Sequence, residues 1–319
     1  MAYFGSEVLC SFIKPDTQTM MVIEKQSNFN VFKWVEDNKD FLEKYIIKHD
    51  GILLRNFGLG SISEFNKIVQ IISPNLLDYI HQSTPRTKLG GKIYTATEYP
   101  ANRFIPLHNE NSYTKIWPRK IFFFSIIVAE EGGETPIASS RNVYKSIDKI
   151  VREKFERNGI MYVRNYTNGI DLRWQDVYQT NERSKVNEFC RMCGIQLQWS
   201  ESEPGLTTKE VCPASVIHPE TLEPVWFNQA HLFHSSALSH KDLSLLINLL
   251  GENNIPRNAF YGDGSHIELE YLEHIREVYS KEKIKFRWQK GDIMILDNIL
   301  TAHAREAFEG NRKVVVAMA

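Results

Sequence analysis

One uninterrupted apolar segment, residues 121–128, constrains the fold of this chain more than any other feature. Its sequence is IFFFSIIV, so every residue except Ser125 is β-branched or aromatic. A short continuous run of this kind is typical of a β-strand that is buried on both of its faces. Gly132 and Gly133 end the region, so we expect a central strand with other elements packed on either side of it.

Further strands and helices are predicted by the period of the apolar residues along the chain. Alternating or β-branched segments predict strands at residues 51–57, 93–97, 160–166, 214–218, 225–228, 284–288, 292–296 and 314–317. Helical spacing predicts helices at residues 32–47, 63–72, 140–158, 182–193, 240–250 and 269–281. Many strands with helices inserted between them fit a β-sandwich or a jelly roll with a helical flank.

The chain of 319 residues is expected to form a single domain. Length alone would allow two domains, but one β-barrel with added helices often reaches this size. We expect residues 1–50 to form a peripheral N-terminal cap. Residues 92–319 are expected to form the β-rich core, with helical insertions around residues 140–158 and 182–281.

The charge balance argues against several classes of partner. With 38 Lys and Arg against 39 Asp and Glu, the net charge is −1, whereas binding to nucleic acid or to an acidic membrane needs a basic surplus. No apolar run approaches the roughly 18 residues that span a bilayer, and the first residues lack the pattern of a signal peptide. We therefore expect a soluble, cytoplasmic protein whose four cysteines are reduced thiols.

A histidine and a glutamate two residues apart form the most informative polar pair. His108 and Glu110 follow Pro106, which disfavours a helix interior. Residues two apart on a strand project from the same face, so both side chains can bind one metal ion. His303, just after a predicted strand, is the best third donor. Two histidines and one carboxylate make the facial triad of non-haem Fe(II) oxygenases. Two alternatives stay open: the residues have only a surface or capping role, or they bind zinc in a hydrolase or lyase.

A conveniently placed arginine strengthens the metal hypothesis. Arg312 follows His303 by nine residues, across a predicted turn at residues 309–311. A strand, a turn and a returning strand would bring its guanidinium back beside the metal, where it offers two parallel donors to a carboxylate. Iron(II) with one carboxylate and two neutral imidazoles carries one positive charge, and Arg312 adds another. A dicarboxylate cosubstrate would neutralise both, which a buried pocket strongly prefers.

With these residues in place, the chain resembles the TauD/TfdA-like family of Fe(II)/2-oxoglutarate-dependent oxygenases. Within that family it is most similar to the SyrP-like and clavaminate-synthase-like amino-acid hydroxylases. The resemblance covers roughly residues 50–319 and rests on stretches that occur in the same order: PLHNENSY (106–113), GGETPIA (132–138), WFNQ (226–229), GDIMILDN (291–298) and HAREAFEGNRKV (303–314). It implies a mainly β fold with flanking helices around a double-stranded β-helix (jelly-roll) core.

The resemblance also implies roles for individual residues. His108, Glu110 and His303 would bind iron. Thr135 would donate its hydroxyl to 2-oxoglutarate, and Arg312 would bind the distal carboxylate of that cosubstrate. With O2, such a site would hydroxylate an unactivated C–H bond of an amino acid or related small metabolite in natural-product biosynthesis. Glu110 stands where much of the wider family has Asp, and its presence argues against halogenation, because related halogenases have a small residue there.

Four further residues are weaker candidates for contact with the substrate: Asn102, Arg103, Arg173 and His231. They lie in or near the matching stretches, although surface arginines, turn asparagines and buried histidines are common in any protein. His231 and His234 have the three-residue gap of a zinc pair on a helix. No glutamate follows His231 to act as a general base, so a metalloprotease site is not expected there.

The sequence leaves the substrate and the outcome of the reaction open. Desaturation and ring closure would use the same iron site as hydroxylation. A free substrate and one tethered to an acyl or peptidyl carrier protein are both compatible with the sequence, which contains no recognisable docking motif. The oligomeric state is open as well. A non-catalytic jelly-roll binding protein is a third class, and it would bind no iron.

Overall fold

A computed structural model describes residues 5–78, 84, 86–96, 99–166, 170–200 and 205–319. The fold is mainly β with flanking helices and has a jelly-roll core, as predicted. Among the described residues, no helix combines the length and the apolar sequence that crossing a membrane requires.

The strands include most of those predicted from the sequence. In chain order they are β1 (Val8–Lys14), β2 (Thr19–Lys25), β3 (Gly51–Arg55), β4 (Lys88–Gly90), β5 (Ile93–Thr95), β6 (Ile105–His108), β7 (Lys120–Ile127), β8 (Glu131–Gly132), β9 (Ile137–Ser139), β10 (Ile160–Tyr166), β11 (Gln196–Trp199), β12 (Leu206–Cys212), β13 (Ser215–Ile217), β14 (Pro224–Trp226), β15 (Arg257–Tyr261), β16 (Ile293–Asp297), β17 (Thr301–Arg305), β18 (Phe308–Glu309) and β19 (Lys313–Met318). The predicted strand at residues 284–288 is wrong: only Ile284 pairs, in a single bridge with Ile137.

The helices lie mainly outside the sheets. They are α1 (Val31–Asp37), α2 (Lys39–Lys48), α3 (Ile62–Ile72), α4 (Ser140–Ser146), α5 (Lys149–Asn158), α6 (Trp174–Tyr178), α7 (Arg183–Cys193), α8 (Ala230–Phe233), α9 (His240–Leu250) and α10 (Leu269–Glu282). The single helix predicted at residues 140–158 is two helices, because Ile147 has an extended backbone with ψ 132°. The predicted helical insertion at residues 182–281 also carries the strands β11–β15.

The main sheet has eight strands in the order β1-β2-β3-β16-β7-β19-β5-β4. The pairs are antiparallel except β2 with β3, which are parallel. The residues expected to form a peripheral N-terminal cap, 1–50, thus include β1 and β2, the two outermost strands at one edge of this sheet. The strands at residues 8–14 and 19–25 extend the main sheet, and Met21 and Ile23 are buried in the core.

Both faces of the main sheet are covered, as the apolar run at residues 121–128 predicts. On β7, Phe122 and Phe124 pack in a cluster with residues of α1, α2 and α3. Ile121 and Phe123 point to the opposite face and pack near Ile137 of β9. The alternation places one layer of helices on the first face and a smaller sheet on the second.

That smaller sheet carries the residues of interest and has the order β6-β17-β9. Because β17 is its central strand, each neighbour can place side chains beside those of β17. Ala302 packs into the outer helical cluster that includes Val143 and Leu272. The alternate residue His303 points the other way, toward Phe123 of the main sheet, with ring centroids 5.1 Å apart. A site therefore forms between the two sheets.

Candidate metal and cosubstrate site

The two predicted histidine ligands lie side by side on neighbouring strands. His108 ends β6 and is directly opposite His303 of β17 in the antiparallel register. Their ring centroids are 4.5 Å apart. Residues that face each other on paired strands lie close together, so this register explains how two residues far apart in the sequence meet.

Glu110 joins them from a turn rather than from a strand. β6 ends at His108, and residues 110–113 form turns in which Asn111 has a φ of +56°. The prediction that strand alternation aligns His108 and Glu110 is therefore wrong, although the two side chains do converge. The Glu110 Oε2 atom lies 3.7 Å from His303 Nε2. One ligand atom from each of the three residues falls within 4.8 Å of the others.

The protonation of the histidines suits metal binding. His108 Nδ1 lies 2.8 Å from the Pro106 carbonyl oxygen, so Nδ1–H donates and Nε2 keeps its lone pair. Burial lowers the pKa of His108, and burial takes the pKa of His303 well below its ordinary value. Neutral imidazoles are the form that binds a metal ion.

A cationic side chain already neutralises the buried carboxylate. Arg86 Nη2 donates to Glu110 Oε2 at 2.8 Å, and both side chains are less than 5 % exposed. The Arg86 guanidinium supplies a positive charge beside this buried carboxylate. The donor set of two neutral imidazoles and one carboxylate fits a divalent iron.

The predicted cosubstrate residues lie on the same cavity. Thr135 Oγ1 accepts a hydrogen bond from Trp288 Nε1 at 3.0 Å and a longer one from Arg312 Nη2 at 3.4 Å. Arg312 Nε also donates to the Gly133 carbonyl oxygen at 2.8 Å. Burial lowers the pKa of Arg312 to about 10, so the guanidinium remains charged at neutral pH. A charged, buried fork of donors is suited to a carboxylate.

Gly133 makes room for Arg312. Its φ is +69°, and a Cβ atom on it would lie 2.9 Å from Arg312 Cδ. Such a separation is too short for two carbon atoms, so only glycine allows the arginine to pass at this point. The Gly-Gly pair that ends the predicted central strand thus also shapes the cavity.

The cavity brings most of these side chains together. Among the described residues it is lined by Arg86, Ala96, Ile105, His108, Phe123, Thr135, His303, Ala304, Arg305 and Arg312. Three of these are arginines, whereas the sequence predicted one. The cavity is therefore more cationic than the predicted neutral balance.

Sequence reasoning missed two of these arginines. Arg305 points from β17 into the same cavity as His303, and strand alternation at residues 303 and 305 is a signal that would have indicated it. Its guanidinium donates to the carbonyl oxygens of Tyr99, Pro100 and Arg103 at 2.6–2.8 Å. Arg86 lies outside any regular element, and no spacing connects it with Glu110.

The four weaker candidates do not line this cavity among the described residues. Asn102 and Arg103 are exposed on the turn before β6. The carbonyl contact of Arg103 with Arg305 places that turn beside the cavity. Arg173 is exposed and donates twice to Asp176 at 2.9 Å, at the start of α6. His231 is buried behind β6, where Nε2 lies 3.0 Å from the Leu107 carbonyl oxygen.

Comparison with known proteins identifies the class to which this fold and site belong. The profile described as "Taurine catabolism dioxygenase TauD, TfdA family" matches residues 13–318. The chain belongs to this family. It is an iron- and 2-oxoglutarate-dependent dioxygenase that acts on a small molecule.

Relatives with names and solved structures agree with this assignment. The chain is 38 % identical over 277 residues to the dapdiamide synthesis protein DdaC of Enterobacter agglomerans, covering 87 % of this chain and 84 % of DdaC. It is 26 % identical over 294 residues to a clavaminate synthase-like protein of Arabidopsis thaliana, covering 89 % and 86 % of the two chains.

Among solved structures, the chain is similar to PvcB of Pseudomonas aeruginosa. PvcB is described as an Fe, alpha-ketoglutarate dependent oxygenase from an isonitrile synthetic pathway. The TM-score is 0.59 at 15 % identity, covering 99 % of this chain and 93 % of PvcB. A second structure, AAD-2 in complex with Mn(II) and N-oxalylglycine, has a TM-score of 0.54 at 12 % identity, covering 98 % of this chain and 96 % of AAD-2. At these identities the likeness shows the fold.

Proposed function

We propose that His108, Glu110 and His303 hold the iron and that Thr135 and Arg312 hold 2-oxoglutarate. The observation that carries the proposal is the convergence of the three ligand atoms within 4.8 Å, on a cavity that Thr135 and Arg312 also line. A zinc hydrolase or lyase would use the same three ligands, but it would assign no purpose to the paired Thr135 and Arg312.

In this proposal the iron supplies the activation of O2, coupled to the oxidative decarboxylation of 2-oxoglutarate to succinate. The chain's own residues bind and orient. Arg312 pairs with the distal carboxylate of 2-oxoglutarate through its charged guanidinium. Trp288 occupies one lone pair of Thr135 Oγ1, so the hydroxyl hydrogen can turn toward that carboxylate. Phe123 packs against the His303 ring and excludes water from that side.

We further propose that the substrate is an amino acid or a related small metabolite of a natural-product pathway. The relative DdaC is named for dapdiamide synthesis. The charge of the cavity supports the same class. Three lining arginines, a divalent iron and Glu110 sum to +4, and 2-oxoglutarate lowers this to +2. A free amino acid has a carboxylate that its thioester lacks, so it brings one positive charge less into this cationic cavity, which favours a free amino acid over a carrier-bound thioester.

The cofactor part of the proposal is tested by spectroscopy without turnover. The anaerobic protein is loaded with Fe(II), and 2-oxoglutarate is added. We expect the weak visible charge-transfer band of an iron–2-oxo-acid chelate. His108→Ala should abolish the band, whereas His234→Ala, which removes a buried histidine outside the cavity, should keep it. A wild-type spectrum that does not change on addition of 2-oxoglutarate would count against the proposal.

The substrate is tested by a screen for substrate-triggered succinate release. Free amino acids and aminoacyl carrier proteins are compared at equal concentration, and each product is analysed by mass. A mass gain of one oxygen indicates hydroxylation, whereas a loss of two hydrogens indicates desaturation or ring closure. Succinate release only with carrier-bound substrates would contradict the preference for a free carboxylate.

A further inference from the structure

The backbone of Glu110 lies beyond the end of β6, where the smaller sheet does not supply its hydrogen-bond partners. The hydrogen-bonded ladder of the smaller sheet ends at His108, yet Glu110 is buried with 3 % exposure. Its backbone N–H and C=O groups therefore need partners outside the sheet, because unpaired buried backbone groups are costly. The side chain points where the backbone directs it, so whatever holds this backbone also aims the carboxylate.

Both backbone groups of Glu110 are held by one side chain. The Glu110 N–H donates to Asn298 Oδ1 at 2.7 Å, and Asn298 Nδ2 donates to the Glu110 carbonyl oxygen at 2.9 Å. The same Nδ2 also donates to the Pro118 carbonyl oxygen at 2.9 Å. The amide thus pairs with Glu110 as a neighbouring strand would, in a position that no strand of the described residues reaches.

Asn298 is itself firmly held. It is 0 % exposed, and its N–H donates to the Arg119 carbonyl oxygen at 2.8 Å. Its carbonyl oxygen accepts from Asn109 Nδ2 at 2.7 Å. Asn298 lies between β16 and β17, five residues before His303. One side chain therefore connects the segment that carries Glu110 to the segment that carries His303.

We propose that Asn298 is the positioning residue that aims Glu110 at the metal, acting through the backbone of Glu110 rather than by contact with any ligand. The proposal rests on the proposed metal site but not on its oxygenase chemistry. It gives Asn298 a role beyond that of a turn residue at the end of β16.

The test measures the affinity for Co(II), which imidazole and carboxylate ligands bind and whose visible spectrum reports its coordination. We expect Asn298→Ala to weaken Co(II) binding at least tenfold and to change the spectrum, as a displaced carboxylate would. Asn298→Ser keeps one hydrogen-bonding group, and we expect an intermediate loss. Urea unfolding of the metal-free proteins shows that each variant is folded, and the serine variant keeps the test usable if the alanine variant does not fold.

Asn165 provides a matched control. It is buried, and its Nδ2 also donates to two carbonyl oxygens, of Asn253 and Ile255, while its Oδ1 accepts from Thr207. Asn165→Ala therefore removes the same number of hydrogen bonds outside the cavity. We expect it to lower the free energy of unfolding while leaving the Co(II) affinity within twofold of the wild type.

A double-mutant cycle with Glu110→Ala separates positioning from general destabilisation. If Asn298 acts through Glu110, Asn298→Ala loses its effect on Co(II) affinity once the carboxylate is gone. An equal loss in both backgrounds would overturn the proposal, as would an unchanged affinity of Asn298→Ala or a wild type that binds no Co(II). A wild type that binds Co(II) normally but never consumes 2-oxoglutarate would refute the proposed function alone.

Discussion

At the scale of single residues, the cavity depends on a glycine as much as on charged groups. Gly133 lies in the left-handed region and lets Arg312 pass within a distance that any Cβ atom would block. Arg312, the proposed cosubstrate arginine, and Gly133 are thus neighbours in space, although they are 179 residues apart in the sequence.

Gly133→Ala should weaken the binding of 2-oxoglutarate about tenfold, which corresponds to about 1.4 kcal/mol, because Arg312 must move away from the new methyl group. Gly58→Ala is the control, since Gly58 has a similar φ of +72° but no atom of the described residues within 4 Å of the added Cβ. Both variants should lose about 1 kcal/mol of stability from the strained backbone. Equal cosubstrate affinities in the two variants would contradict the pairing of Gly133 with Arg312.

A second prediction concerns how stability depends on pH, because His231 is buried in its neutral form. Burial lowers its pKa to about 3, against about 6.5 in the unfolded chain. The unfolded chain therefore binds a proton that the folded chain does not, and stability falls as the pH drops below 6.5. Through His231 alone, the free energy of unfolding should fall by about 2 kcal/mol when the pH is lowered from 7 to 5.

His231→Gln keeps a donor for the Leu107 carbonyl oxygen but cannot take up a proton. We expect this variant to lose less stability than the wild type over the same pH interval, measured by urea unfolding at each pH. Parallel pH profiles of the two proteins would mean that His231 does not titrate in this way.

The sequence indicates the candidate metal ligands, which the structure brings together, better than it indicates their surroundings. His108, Glu110 and His303 are recognisable because metal ligation requires their residue types. Arg86 is not recognisable, since it contacts Glu110 from an irregular segment and any surface arginine has the same local sequence signal. Asn298 is equally hidden, because its role depends on the position of a distant backbone.

At the scale of elements, local periodicity predicts strands and helices well where one face is buried. The strand at residues 160–166 has the predicted bounds, and α10 differs from its prediction by one residue. The two N-terminal strands were missed because the cap interpretation rested on the amphipathic helices that follow them. The parallel pairing of β2 with β3 joins residues about 30 positions apart, such as Met21 and Ile52, and local sequence patterns do not predict such a contact.

A pair of substitutions measures how far these N-terminal strands belong to the core. Ile23 on β2 is 0 % exposed, whereas Leu9 on β1 is 55 % exposed. Ile23→Ala should cost about 2–4 kcal/mol of unfolding free energy, and Leu9→Ala should cost less than about 0.5 kcal/mol. Similar, small losses in both variants would instead support a loosely attached cap.

At the scale of the whole molecule, the candidate metal site joins residues from distant parts of the chain. His108 and His303 meet only because β6 and β17 pair in a specific register. An ion bound there stabilises the folded state alone, because the unfolded chain does not keep these residues together.

Co(II) at 100 times its dissociation constant should therefore stabilise the fold by about 2.7 kcal/mol. The corresponding rise in Tm is about 5 °C, measured by differential scanning fluorimetry with and without the metal. His303→Ala should remove the metal-dependent rise, and EDTA should reverse it in the wild type. A rise of the same size in His303→Ala would show that the metal acts elsewhere on the chain.

The position of Glu110 beyond the end of β6 has one more consequence. Since Asn298 binds only the main chain at residue 110, its hydrogen bonds there do not depend on the identity of the side chain. A smaller residue at this point would keep these backbone hydrogen bonds, but it would remove the carboxylate that accepts from the buried Arg86 guanidinium. An exchange of this carboxylate therefore calls for an anion from solution to replace its negative charge beside that guanidinium.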